Sequence, residues 1–402
     1  KYNQDINTKP VVSATFIITG QCSLRCKYCF EHDMATEKRK PMSSDIAIES
    51  LNYLYENSKH HNSPIYVMLF GGEPTLNPDP IIKMVDHYKN VLMKKYPKKP
   101  LSVSIVTNCC QLPDNLYQCF KENYKLLGLS CQLSIDGIPS VQDTNRVQPN
   151  GEGSSHLLIP TMNKWKDIYK DDPNMLSVHG CVSPQTVSSM YESYKYFKDV
   201  YGIRRIWFLP VPELEWENKD VKEYDRQLGM IYDEVLDEVK KTKNVKIAME
   251  YAPLDRFSQC QKSSKTCGAG TTYFTITQDG DLYPCHQIYF IDDTGETKVG
   301  DIWNGVDDNK RRLFLEYDSN DLSCPNDCEH PSCYRCWASN YSYFGSMLTQ
   351  IRGKYCAMMK IDLKYEKKLK EELNKMGLLK NTNNGNNGGN NMDDSCLCNL
   401  RS

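Results

Sequence analysis

Apolar, β-branched stretches alternate with amphipathic ones through the first half of the chain. Residues 12–19, 65–70, 101–107, 132–135, 176–182 and 203–209 are short runs with the composition of strands. Between them, 43–60, 80–94, 115–124, 157–170 and 187–201 repeat apolar residues at helical spacing. Strand alternating with helix predicts an α/β fold with a parallel sheet or partial barrel, whose active site would lie at the carboxyl ends of the strands. The pattern then changes. A long amphipathic helix is predicted over 222–243, after which 260–356 turns irregular and rich in Cys, Asp, Pro and Gly, with one hairpin turning on Asp279-Gly280. Such a stretch needs ligands to hold it. A charged helix over 358–376 and an Asn/Gly tract with nothing to pack complete the chain. The predicted division is 1–215 for the barrel, 216–259 for a bridging helix and linker, 260–357 for the Cys-rich part, 358–378 for the C-terminal helix and 379–402 for a low-complexity tail.

Charge narrows the partners. The 402 residues include 49 basic and 51 acidic ones, a net charge of −2, which leaves no electrostatic footprint for nucleic acid or a membrane surface. No apolar run is long enough to span a bilayer, and residues 1–20 lack the basic-then-apolar order of a signal peptide. A cytoplasmic protein is expected, although the chain begins at Lys1 rather than Met. Eighteen cysteines are then conspicuous, because disulfides do not persist in a reducing compartment. Thiolates bound to metal are the natural alternative.

Three of them stand directly after the first strand, in "CSLRCKYCF". Cys22, Cys26 and Cys29 can direct three sulfurs at one centre, one ligand short of a closed zinc site or a fully protein-ligated cubane. Either an iron is left open to a small molecule, or a distant residue such as His32 completes a zinc knuckle. One strand later comes "MLFGGEPTL", where Gly71 and Gly72 would let the backbone approach a ligand and Glu73 sits at the strand's carboxyl end.

With these motifs the chain resembles the radical S-adenosylmethionine (SAM) superfamily, whose signature is Cys-x3-Cys-x2-Cys, commonly with an aromatic residue before the last Cys, as Tyr28 is. The resemblance covers residues 12 to about 210 and continues in "TNCC" and "SIDGIPSVQDTNR". It implies a partial (β/α)6 barrel in which Cys22, Cys26 and Cys29 hold a [4Fe–4S] cluster and SAM chelates the fourth iron. The backbone at Gly71, Gly72 and Glu73 would meet the methionyl amino group, and Asn108, Ser134 and Arg146 would be further SAM contacts. Reductive cleavage of SAM would then yield a 5′-deoxyadenosyl radical able to take hydrogen from an unactivated carbon. Cys109 stands where many relatives have Gly.

The second cysteine field is bland by itself, since eight thiols would suit two zinc ribbons. Yet "CGAGTTYFTITQDGDLYPC" resembles the start of a SPASM domain, and "CPNDCEHPSCYRC" with Cys356 resembles its second half. By that resemblance Cys260, Cys267, Cys285 and Cys336 would hold one auxiliary [4Fe–4S] cluster and Cys324, Cys328, Cys333 and Cys356 another, giving three clusters in all. The knuckle's gaps of three, four and two residues depart from the family's two, five and three, so the partition between the clusters is open. The seven remaining cysteines, 109, 110, 119, 131, 181, 396 and 398, are expected to be mostly small buried side chains.

Enzymes of this kind mostly modify side chains of peptides or proteins. The family resemblance implies an oxidoreductase acting on a ribosomally made peptide, with thioether or carbon–carbon cross-linking as the first reading and formylglycine formation from Cys or Ser, as in anaerobic sulfatase maturases, as the second. A non-enzymatic electron carrier or zinc-binding protein is the third. His286 stands where sulfatase maturases have an acidic base, and a neutral imidazole could accept a proton there or donate a hydrogen bond to cluster sulfur. A flavodoxin or ferredoxin would supply electrons. Only twenty-one residues precede Cys22, too few for a leader-binding domain, so leader recognition would fall to a separate protein or to the barrel mouth and SPASM surface.

Overall fold

The computed structural model describes residues 11–31, 38, 40–61, 63–251, 268–317, 336–348 and 353–379. Six strand–helix units come first: β1 (Ser13–Thr19), α1 (Ser44–Asn57), β2 (Ile65–Gly71), α2 (Pro78–His87), α3 (Met93–Lys95), β3 (Leu101–Thr107), α4 (Asp114–Asn123), β4 (Ser130–Ser134), α5 (Pro139–Asn145), α6 (Ser155–Ile168), β5 (Leu176–Val182), α7 (Met190–Asp199) and β6 (Arg205–Pro210). All six strands pair in parallel and in chain order, as a partial (β/α)6 barrel requires. Strand β1 is buried along its whole length, which is why it reads as a continuous apolar run.

The helix predicted over 80–94 is divided by a π turn at Tyr88–Leu92, whose Tyr88 hydroxyl accepts a hydrogen bond from Leu101 N at the start of β3. The short α5 escapes periodicity because two turns are too few to establish it.

The second half continues the sheet. After α8 (Asn218–Thr242) and α9 (Val245–Tyr251), strand β7 (Tyr273–Ile276) pairs in parallel with β1 on the side opposite β2. The predicted hairpin is there: β8 (Asp281–Tyr283) folds back antiparallel on β7, with Gly280 at φ +78° in the turn. Helix α10 (His286–Ile291), β9 (Gly300–Asp301), β10 (Gly305–Val306), α11 (Arg312–Glu316) and α12 (Trp337–Phe344) follow, making a ten-stranded sheet in the order β10-β9-β8-β7-β1-β2-β3-β4-β5-β6.

The C-terminal helix α13 (Lys354–Lys375) lies beside α8. Tyr224 donates to Asp362 at 2.7 Å, Lys364 pairs with Asp225 at 2.7 Å, and the Tyr365 ring packs at a tilt against Tyr232, centroids 5.3 Å apart. A Cβ at Gly229 would stand 2.6 Å from the Tyr365 hydroxyl, so this glycine lets the helices approach. Among the described residues no helix is long and apolar enough to cross a membrane.

Phe274 of β7 is fully buried where the hairpin joins the barrel. Phe274→Ala should destabilise the protein by about 3–5 kcal/mol, measured as a lowered urea midpoint; an unchanged midpoint would mean that this junction contributes little.

Candidate active site

The cysteine loop leaves β1 and is braced before any ligand arrives. Arg25 N donates to Val147 O at 2.7 Å and Lys27 N to Asn145 O at 2.9 Å, so the loop leans on the end of α5 and the residues just after it. Donors also face the sulfurs. Leu24 N lies 3.4 Å and Asn108 Nδ2 3.7 Å from Cys22 Sγ, and Arg146 Nη1 lies 3.9 Å from Cys26 Sγ. Burial, with Glu73 nearby, pushes the Cys22 thiol up to about 12, and burial raises Cys26 and Cys29 as well. A metal would relieve that cost by replacing the protons.

The two glycines of "GGEP" serve the chain first. Gly71 has φ +122°, and a Cβ there would stand 2.1 Å from Thr19 O; a Cβ at Gly72 would stand 2.3 Å from Gln21 O. Gly72 N donates to Thr19 O and Glu73 N to Gln21 O, both at 2.8 Å. In this geometry the glycines also let β2 approach the root of the cysteine loop. With those N–H groups engaged, carbonyls are what this turn could offer to an amino group.

Glu73 is fully buried. Its carboxylate accepts from Thr75 N, Thr75 Oγ1, Thr107 Oγ1 and Asn108 N at 2.7–3.1 Å, clamping β2 to β3. Asn108 in turn donates to Ser23 Oγ at 3.1 Å and accepts from Cys110 N. The next residue, Cys109, has φ +62°, a left-handed conformation that favours glycine; its side chain is fully buried in the core.

Arg146 is buried and held by a residue the sequence reading passed over. Its Nε donates to Asp136 Oδ1 at 2.8 Å, Tyr28 donates to Asp136 Oδ2 at 2.6 Å, and Cys181 N donates to Oδ1 at 2.9 Å. An Asp in "SIDG" carries no signal by itself; only the fold brings Tyr28, Arg146 and Cys181 around it.

Beside these groups lies one cavity of about 280 Å³ at the carboxyl ends of the strands. Cys22, Cys26 and Cys29 share its wall with Gly71–Glu73, Asn108, Ser134 and Arg146, so every SAM-site residue predicted from sequence is gathered there. Phe30, Phe70, Trp207 and Phe208 make it apolar, and Glu213 lies on its rim. Two contributions were not foreseen. Cys181, expected among the structural cysteines, lines the cavity, and α13 presents Tyr355, Met359, Asp362 and Glu366 to it, one helical stripe.

Of the eight cysteines in the second field, Cys260, Cys267, Cys324, Cys328 and Cys333 lie outside the described residues, as do His32, Cys396 and Cys398. Cys285 and Cys336 pack against one apolar cluster with Phe314 and Trp337, and Cys336 also lines the cavity. Cys356 is partly buried in the first turn of α13. His286 opens α10. Its ring lies 4.6 Å from Phe70 and its Nδ1 2.8 Å from the Tyr273 hydroxyl, which is itself 2.6 Å from Thr15 Oγ1. Nε2 has no hydrogen-bond partner among the described residues, and burial lowers the imidazole to about 3, keeping it neutral. The cavity wall includes Phe70 and Gln287 on either side of it, but not His286.

The donor set fits an iron–sulfur cluster: three thiols border one cavity, and N–H donors face two of the sulfurs, a usual accompaniment of cluster ligands.

Comparison with known proteins agrees. A family model described as a 4Fe–4S single cluster domain matches residues 11–159, and the SPASM model, an iron–sulfur cluster-binding domain, matches residues 267–337. A cysteine-type anaerobic sulfatase-maturating enzyme of Clostridium novyi is 26% identical over 334 residues, 78% of this chain and 84% of the relative. Native anSMEcpe with bound AdoMet and Cp18Cys peptide shares the fold at TM-score 0.69 and 19% identity, covering 90% of this chain and 99% of its own. Streptococcus suis SuiB bound to the precursor peptide SuiA does so at TM-score 0.54 and 16% identity, covering 87% and 76%. With the cysteine loop, the strand-end cavity and these matches together, the chain is a radical SAM enzyme with a SPASM domain, and its cofactors are [4Fe–4S] clusters and SAM.

Proposed function

We propose that the enzyme oxidises a side chain of a ribosomally made peptide and closes an intramolecular thioether or carbon–carbon cross-link. The observation that carries this reading is the single cavity bordered at once by Cys22, Cys26 and Cys29 and by Cys336. When bound, the first cluster and SAM together supply one-electron abstraction of hydrogen from carbon.

The chain's own groups do the rest. Cys22, Cys26 and Cys29 would hold the first cluster; Asn108, Ser134, Arg146 and the Gly71–Glu73 carbonyls would seat SAM. Phe30, Phe70, Trp207 and Phe208 exclude water, which protects a carbon radical. Cys260, Cys267, Cys285 and Cys336 are proposed as ligands of one auxiliary cluster and Cys324, Cys328, Cys333 and Cys356 of the other. Cys336 would set its cluster against the substrate, where it could take the second electron or bind a substrate thiol. The solved relatives anSMEcpe and SuiB have been captured with peptides, which supports a peptide occupant. A reduced flavodoxin or ferredoxin is the proposed electron donor, and a separate leader-binding protein a proposed partner.

Formylglycine formation is the second reading, favoured by the 26% identical sulfatase-maturating relative. Either reaction needs a proton acceptor, and His286, one residue after Cys285, is the proposed base; to act it must gain access to the cavity past Phe70, since burial lowers its basicity where it now stands.

Three outcomes test the assignment. Cys26→Ala should abolish dithionite-driven formation of 5′-deoxyadenosine by the anaerobically reconstituted enzyme; normal production would overturn the cluster site. His286→Ala should slow product formation by about 10²-fold or more while sparing uncoupled SAM cleavage, whereas equal slowing of both removes it as base. With Cys-containing precursor peptides, mass spectrometry should show loss of a hydrogen pair, with a thiol that no longer alkylates for a thioether and one that still does for a carbon–carbon link; an aldehyde product without a cross-link would decide for formylglycine.

A further inference from the structure

Asp136 and Arg146 form a buried ion pair, with side chains 0% and 8% exposed, beside the cysteine loop. Each has a second engagement. Asp136 accepts the Tyr28 hydroxyl from the stretch between Cys26 and Cys29, and the Arg146 guanidinium lies 5.5 Å from the Tyr28 ring centroid. With Nε committed to Asp136, the fork points Nη1 at Cys26 Sγ, 3.9 Å away, and Nη2 at Cys181 Sγ, 3.8 Å away. The orientation is over-determined. Asp136 N accepts no freedom either: it donates to Gln142 Oε1 at 3.0 Å, Gln142 donates to Ser154 Oγ, and Ser154 donates back to Arg146 O at 2.6 Å.

A guanidinium is always charged, and hydrogen bonds and net charge near the sulfurs are what a protein uses to set a cluster's potential. We infer that Asp136 is a positioning residue that aims Arg146 at the Cys26 sulfur, and that this ion pair sets the reduction potential of the cluster held by Cys22, Cys26 and Cys29. The inference rests on that ligand assignment. Reduction adds negative charge to the cluster, so the cation raises the potential and the carboxylate lowers it. The pair works as a balanced setting, and each half pulls in its own direction.

The test is a potentiometric titration, followed by EPR and without SAM, of the reconstituted full chain. The cluster is identified in wild type as the one whose spectrum changes when SAM is added. Asp136→Asn should raise its potential and Arg146→Gln should lower it, while Tyr28→Phe, which cuts the loop's bond to Asp136 but leaves both charges, should stay near wild type. Potentials unchanged in both charge variants, shifts of the same sign, or an equal shift in Tyr28→Phe would overturn the inference while leaving the cluster assignment intact. If one charge variant holds no cluster, the sign of the other decides. Loss of the cluster from both would assign the pair to loop assembly and overturn tuning. A wild-type protein without any SAM-responsive cluster would instead sink the site assignment itself.

Discussion

Strand β1 pairs in parallel with β2 on one side and β7 on the other, and the site depends on that double pairing. The cysteine loop leaves the carboxyl end of β1, so both neighbours deliver their own strand ends or following turns toward it. From β2 come the two glycines and Glu73. From the β7–β8 hairpin come Cys285 and α10, whose Gln287 and Ile291 reach the cavity. A parallel ladder running at the centre of a ten-stranded sheet leaves little room for slippage, because a one-residue shift would turn its buried side chains to the other face.

Near that ladder two buried carboxylates are fully engaged. Glu73 is buried with four hydrogen bonds from three residues, and Asp136 with three from three. Burial alone would make such carboxylates costly, and their donors offset that cost. Removing one member of a buried pair typically costs about 3–5 kcal/mol because the other is left uncompensated. These side chains give specificity of placement: they decide where strand ends stop and which way the loop faces.

The reach of sequence differs from residue to residue. The cysteine triplet and "GGEP" were legible because spacing constrains ligands and turns locally. The hairpin was legible through Asp279-Gly280, since a turn of that type demands positive φ at glycine. The reason for Gly71 and Gly72 was not, because it lies in the carbonyls of Thr19 and Gln21, some fifty residues away in the chain. His286 could be marked by its position after Cys285, yet its seat behind Phe70 and its bond to Tyr273 are properties of packing.

By itself the sequence determined the chemistry available: three thiols at a strand end, a glycine turn after the next strand, a cysteine-rich region, and an alternation that makes a parallel α/β sheet. These are local or periodic features, so a linear reading captures them. Tertiary structure decided which groups share a space. Asp136 with Tyr28 and Arg146, Cys181 and Cys336 on the cavity wall with the first three cysteines, and one stripe of α13 lining the same cavity all join residues far apart in the chain. Such juxtapositions arise from the order and register of strands and the packing of helices on them, and no single stretch of sequence carries that information.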